Sequence, residues 1–232
     1  MKESERMAQN KDWTGGNASI FKSLLGASNH TEAERETHDY YATSPEAAEW
    51  LLKIEPEITN IWECFCGEGH LAKVFNEAGK LKAVSDLIDR GYYPEGISTK
   101  YPLDFFKFNK KWKGDIVSNP PYKYALESIQ HALDLINEGH YVAMFMKITF
   151  LEGKNRKKFF EETPPIRVHV SSSRIPCAIN GQFTQLKKDK NGNVVLDKEG
   201  NPVMEKNSSA ACYAWFVWRK GYKGDTVVRW FN

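Results

Sequence analysis

From residue 60 onward the apolar positions fall into short blocks separated by stretches of helical period. Residues 61–65 form a compact apolar run, and 68–78 place Leu71, Val74 and Phe75 on one side of a helix. Residues 82–87 repeat the strand pattern, 101–105 give a weaker extended stretch, and 115–118 a short, clear one. A helix follows with Leu126, Ile129, Leu133 and Ile136 on one face. Residues 141–148 are then almost continuously apolar, as a parallel strand covered on both sides requires. Upstream, Ser44-Pro45 has the form of a helix start, Ser as cap and Pro in the first turn, ahead of Ala47, Trp50, Leu51 and Ile54. Strands alternating with helices predict an α/β fold on a doubly wound, mostly parallel sheet with helices on both faces.

The last third breaks this alternation. Residues 166–170 and 212–218 read as strands, and Gly221 to Gly224 precede another at 226–231, so the final two strands predict an antiparallel hairpin. Asp189-Lys-Asn-Gly-Asn and Asp197-Lys-Glu-Gly-Asn repeat a turn-forming phrase around Val194-Val195-Leu196, which predicts a β-hairpin insertion at about 182–208. Two copies are too few for a repeat architecture. Residues 1–38 are polar, with one short apolar patch from Ile20 to Leu25, and predict a flexible arm ahead of a single domain at 39–232.

Composition narrows the classes further. With 232 residues, 41% apolar and 27% charged, the chain falls within the range of one globular α/β domain. The longest apolar run is too short to cross a bilayer and the N-terminus lacks a signal-peptide core. The four cysteines form neither a CxxC pair nor a zinc-like cluster, so reduced thiols, a cytoplasmic location, no membrane and no metal are expected. The net charge of +2 is unevenly spread: −2 over residues 1–40, zero over 41–180 and +4 over 181–232. Lys107, Lys110, Lys111 and Lys113 form one basic cluster, and Lys154, Arg156, Lys157 and Lys158 another; either can neutralise phosphates or simply be a solvated face.

Candidate chemistry begins after the first strand, at Glu63-Cys64-Phe65-Cys66-Gly67-Glu68-Gly69-His70. Gly67 and Gly69 at a strand-to-helix switch allow a ligand to approach the backbone. The stretch Gly67-x-Gly69-x-x-Ala72 formally satisfies the dinucleotide fingerprint. Glu63, however, would repel a pyrophosphate and suits a cationic amino-acid group. Asp86, at the end of the second strand, is placed to accept hydrogen bonds from ribose hydroxyls, while Asp104, Phe105 and Phe106 offer an acceptor and aromatic walls for adenine. A nucleoside carrying an amino acid fits this set: S-adenosylmethionine.

The fourth parallel strand ends in Ser118-Asn119-Pro120-Pro121-Tyr122, where ligands bind in open α/β sheets. The exocyclic amine of adenine is a poor nucleophile, so a site that methylates it must hold the amine and aim its lone pair. The Asn119 side-chain oxygen and the Pro120 carbonyl are suitable acceptors, the two prolines stiffen the loop, and Tyr122 supplies a face for an extruded base.

On these residues the chain resembles the class I S-adenosylmethionine-dependent amino-methyltransferases, especially the phage- and prophage-borne DNA adenine N6-methyltransferases. The resemblance runs from about residue 26 to the C-terminus. It rests on Asp39-Tyr40-Tyr41-Ala42-Thr43-Ser44-Pro45, Glu63-x-x-x-Gly67-x-Gly69, Asp86, Asp104 and Asn119-Pro120-Pro121-Tyr122; Glu63-Cys64 stands where the family has Asp-Pro. It implies a Rossmann-like, seven-stranded sheet with an antiparallel C-terminal hairpin. It also implies Tyr41 and Thr43 beside the methionine end of the cofactor, and a bacterial or phage-infected host cell. The large target-recognition domain of many relatives is missing, which leaves the arm, the insertion and the basic clusters to meet DNA. Lys110, Lys111, Lys147, Lys154, Arg156, Lys187 and Lys188 are the candidate contacts.

The same tetrapeptide also suits methylation of RNA bases or protein glutamine amides, both planar NH2 groups. A binding module without catalysis and a nicotinamide dehydrogenase are further alternatives.

Overall fold

The computed structural model describes residues 42–178, 181, 183–207 and 211–232. The expected arm at 1–38 and Tyr41 lie outside them. In chain order the elements are β1 (Ala42–Thr43), α1 (Glu46–Ile54), β2 (Ile61–Glu63), α2 (His70–Glu77), β3 (Leu81–Ser85), β4 (Ser98–Lys100), β5 (Ile116–Ser118) and α3 (Ala125–Leu135). They continue with β6 (Tyr141–Lys147), α4 (Lys154–Glu162), β7 (Arg167–Ser171), β8 (Cys177–Ala178), β9 (Thr184–Leu186), β10 (Met204–Lys206), β11 (Tyr213–Arg219) and β12 (Val227–Phe231).

Eight strands form the main sheet in the order β4-β3-β2-β5-β6-β11-β7-β12. All run the same way except β11, which is antiparallel to β6 and to β7. The doubly wound sheet is as expected, with one strand more than the seven implied. The terminal hairpin is a correction: β7 lies between β11 and β12, and β12 pairs in parallel with β7. A two-residue turn joins only adjacent strands, whereas residues 220–226 are long enough to step over one strand, about 10 Å.

Alternation along β6 and β11 sets the two layers. Val142, Met144, Met146, Ala214, Phe216 and Trp218 face the side covered by α3 and α4, where Ile129, Ala132 and Phe159 pack. Ala143, Phe145, Tyr213, Trp215 and Val217 face the other side, against Ala47, Leu51, Leu71 and Phe75 of α1 and α2. The extended stretch expected at 101–105 lies three residues earlier, in β4, because the Asp104 side chain accepts the Phe106 N–H and starts a 3-10 turn at Phe105–Lys107. Ser44 does not cap α1 with its hydroxyl; its carbonyl takes the Ala47 N–H at 3.0 Å.

The insertion is a hairpin of β9 and β10 with a closed tip. Lys187 N donates to Val203 O, Val203 N to Val195 O, and Val195 N to Lys187 O, a ring of three main-chain bonds. The two Asp-Lys-x-Gly-Asn phrases form the connecting turns. Asp189 accepts the Asn191 and Asn193 N–H groups, and Asp197 those of Glu199 and Asn201.

One buried ion network fastens α1 to the far strands. Glu55, just after α1, is fully buried and takes the Arg167 guanidinium on both oxygens and His169 Nε2 at 2.5 Å. Arg167 also reaches Glu57 at 2.7 Å. Burial alone would raise the Glu55 pKa, but the His169 and Arg167 bonds outweigh it and hold the carboxyl below its ordinary 4.5. The stabilisation is therefore complete above the unfolded-state value and is lost as pH falls through the lower folded-state value. Glu55→Gln should cost about 3–5 kcal/mol at neutral pH. It should also flatten the loss of stability on acidification, both read from denaturant unfolding at stepped pH.

Candidate functional site

Five parallel strands, β4, β3, β2, β5 and β6, end on one edge, and the loops that leave them carry most of the residues singled out in the sequence. β5 is buried throughout, so its first accessible chemistry comes where it ends, at Asn119-Pro120-Pro121-Tyr122. A turn at Tyr122–Tyr124, with Tyr124 N on Pro121 O at 2.9 Å, then leads into α3.

The Thr43 segment is brought to this loop by pairing rather than by sequence proximity. β1 pairs with β8, setting Thr43 opposite Cys177, and Ser44 N bonds Pro176 O at 3.1 Å. Asn119 Nδ2 then donates to Thr43 Oγ1 at 2.7 Å, which sets the plane of the amide. The Cys177 thiol lies 3.9 Å from the same hydroxyl. Burial pushes this thiol up to about 11, so it stays protonated. Tyr122 reaches Tyr213 hydroxyl to hydroxyl at 3.0 Å, and Lys147 Nζ stands 4.8 Å over the Tyr122 ring. Burial, helped by Cys177 and Tyr213, raises the Tyr122 phenol well above its ordinary value and keeps it a neutral donor. Cys177 and Tyr213 were not singled out in the sequence. The one available signal was a hydroxyl-bearing Tyr at the head of an otherwise apolar strand.

One strand over, the glycine loop stands beside this group, with Phe65 N on Ser118 Oγ at 3.2 Å. Gly67 (φ 57°) and Gly69 (φ 79°) are both left-handed. Tyr92 packs directly on Gly69, where an added Cβ would come within 2.4 Å of the ring. Burial raises the Tyr92 phenol to about 12. Asp86 lies beneath the loop. Its oxygens accept Gly67 N at 2.8 Å, Ile88 N at 3.0 Å and Arg90 at 3.4 Å, so a ribose would share them rather than find them open.

Glu63 is 2% exposed, and its Oε2 has no hydrogen-bond partner among the described residues. Burial raises its carboxyl well above the ordinary range; the Cys66 thiol opposes that shift and Asp86 adds to it. Asp104 is further out, bonded to Phe106 N at 3.1 Å and paired with Lys107 at 3.1 Å. Phe105 is 2% exposed and packs on Trp62 and Phe65 in the core, so the ring left open beside Asp104 is Phe106, at 40%.

The candidate basic contacts separate into two groups. Lys147 and Lys154 follow the site edge, as does Arg156, whose guanidinium is tied to the carbonyls of Phe150 and Glu152 and lies 4.8 Å from the Phe150 ring. Lys187 and Lys188 are exposed on the insertion, which is rooted at the same edge: Phe183 packs on His70 of the glycine loop, and Lys206 bonds Glu46 of α1 at 2.7 Å. Lys110 and Lys111 are elsewhere. Lys111 Nζ bonds Asp134 O in the last turn of α3, which over its 11 residues has run about 16 Å back from the site edge. These two precede β5 in sequence and therefore meet its opposite end. Among the described residues no group of side chains could hold a metal, and no helix is long and apolar enough to cross a membrane.

No family pattern and no curated protein matches the sequence. Solved structures do. A candidate RNA methyltransferase from Pyrococcus horikoshii matches with TM-score 0.50 at 11% identity, over 87% of this chain and 97% of that one. A SAM-dependent O-methyltransferase from Thermotoga maritima gives 0.46 at 14% identity, over 78% and 67%. A SAM-dependent methyltransferase from Archaeoglobus fulgidus gives 0.46 at 11% identity, over 76% and 95%. The chain thus carries the Rossmann-like fold of the class I methyltransferases.

The glycine loop is the part of the site with least room for change. Gly69→Ala should lower stability by about 1–2 kcal/mol through its positive φ and the clash with Tyr92. Adding Tyr92→Ala should restore the steric part, as denaturant unfolding of both variants would reveal.

Proposed function

We propose that this chain, on its class I methyltransferase fold, transfers a methyl group from S-adenosylmethionine to the N6 amine of adenine in DNA. One arrangement carries the reading. A stiff Asn119-Pro120-Pro121-Tyr122 elbow stands at the end of a central parallel strand, locked to Thr43 and one strand from the glycine loop.

The residues fit the cofactor on chemical grounds. The buried Glu63 Oε2 with no partner among the described residues suits a cationic amino group, and the left-handed glycines suit close approach of a ligand to the backbone. Gly67, Gly69, Glu63, Asp86 and Asp104 would hold it, with Phe106 rather than Phe105 as the open aromatic wall. Bound there, the cofactor supplies an electrophilic methyl carbon on a sulfonium.

The chain's own part is to bind and aim. Asn119 Oδ1 and the Pro120 carbonyl accept the two amine N–H groups of a flipped-out adenine, which turns the nitrogen lone pair toward the methyl. Thr43 keeps the Asn119 amide from rotating, and Tyr122 supports the base. An amine that received the methyl group there would give up its surplus proton to water. Lys147, Lys154, Lys187 and Lys188 lie on the edge where a nucleic-acid backbone would run.

Tritiated methyl transfer to DNA is the direct test. Wild type should label adenine N6, and Asn119→Ala should lose about 10²–10³-fold in rate with S-adenosylhomocysteine binding retained. Labelling of RNA or of protein glutamine instead would replace the DNA assignment. Replacing residues 184–206 by a short Gly-Ser linker should weaken DNA binding several-fold, measured by anisotropy, and leave cofactor affinity unchanged. Equal DNA affinity would remove the insertion from the interface.

A further inference from the structure

β6 and β11 pair over seven residues in antiparallel register, and at the site edge this puts Lys147 directly opposite Tyr213. Residues opposite one another in an antiparallel pair project on the same face of the sheet. Both side chains therefore emerge together beneath the Asn119–Tyr122 elbow, and both act on Tyr122. The Tyr213 hydroxyl bonds the Tyr122 hydroxyl at 3.0 Å, and the Lys147 ammonium lies over the Tyr122 ring at 4.8 Å. Tyr213 is itself held: it is 4% exposed, and its ring stacks on Phe145 with centroids 5.3 Å apart and planes 15° from parallel. Phe145 stands two residues before Lys147 on the same strand.

We infer that Tyr213 is a positioning residue: its hydroxyl holds the Tyr122 ring, over which Lys147 stands, and so sets the angle at which a planar substrate meets that ring. The inference rests on the proposed function for the substrate, and adds how the base plane is selected.

The physical reasoning is direct. A proline-stiffened backbone fixes where Tyr122 begins but not its χ1, since a Tyr side chain has two rotatable bonds. The bond to the Tyr213 hydroxyl at the far end, with a weaker one to the Cys177 thiol, removes that freedom. The ammonium over the ring adds a cation–π contact, which occupies the face it covers. A base seated against a ring held in this way would be kept flat, with its exocyclic amine at the level of the elbow. Such support acts alike on bound substrate and on transition state, so its loss appears in KM and not in kcat.

Tyr213→Phe removes only the hydroxyl and keeps the stacked ring, so the fold is preserved. Loss of one hydrogen bond of this kind predicts a roughly tenfold rise in KM for DNA, with kcat within about twofold and S-adenosylhomocysteine affinity unchanged. NMR couplings that report χ1 of Tyr122, measured without substrate, should indicate one rotamer in wild type and averaging in Tyr213→Phe. A single unchanged Tyr122 rotamer in Tyr213→Phe overturns the inference, as does a fall confined to kcat. Absence of methyl transfer to any DNA by wild type refutes the proposed substrate instead, and the χ1 measurement still decides the role of Tyr213.

Discussion

A strand covered on both faces can show polar chemistry only at its ends, and the molecule is arranged around that constraint. Ile116, Val117 and Ser118 of β5 are buried completely, because helices lie over both sides of the sheet. At one end Asp115, itself buried, gathers Thr59 N at 2.7 Å and Tyr141 N at 2.8 Å, fastening the starts of the adjoining strands. At the other end, Ser118 Oγ takes Phe65 N and Asn119 meets Thr43. Burying polar groups is tolerable because they are bonded. One end of β5 thus closes the sheet, and the other opens toward the elbow.

Two buried glutamates mark how differently the same residue type is used. Glu55 and Glu63 are both nearly inaccessible, yet their acidities move in opposite directions. Glu55 has a guanidinium and an imidazole on its oxygens and serves as a structural anchor. Glu63 has the Cys66 thiol, a weak donor, and an oxygen with no partner among the described residues. With no cation beside it, burial favours the neutral acid in the second arrangement.

How far the sequence could be read follows from how local each signal is. The elbow and the glycine loop are contiguous phrases at strand ends, and the sheet class follows from period alone, so all three were legible. Partners set by long-range pairing were not. Thr43 meets Asn119 across 76 positions and Tyr122 meets Tyr213 across 91, and no periodicity encodes either contact. The same blindness misplaced Lys110 and Lys111, which are near Asn119 along the chain and at the opposite end of the strand in space. It also paired β11 with β12, since a glycine turn reports that the chain reverses and not what comes to lie between the two strands.

The ring that closes the tip of the insertion consists of main-chain groups only, from Lys187, Val195 and Val203, with an aspartate bracing each turn. A frame held this way is indifferent to most of the side chains it displays. The lysines and apolar residues on its outer turns could be exchanged wholesale while the two aspartates and the glycines stay, and the lobe would keep its shape. Its displayed side chains can therefore change without altering the α/β body beneath it.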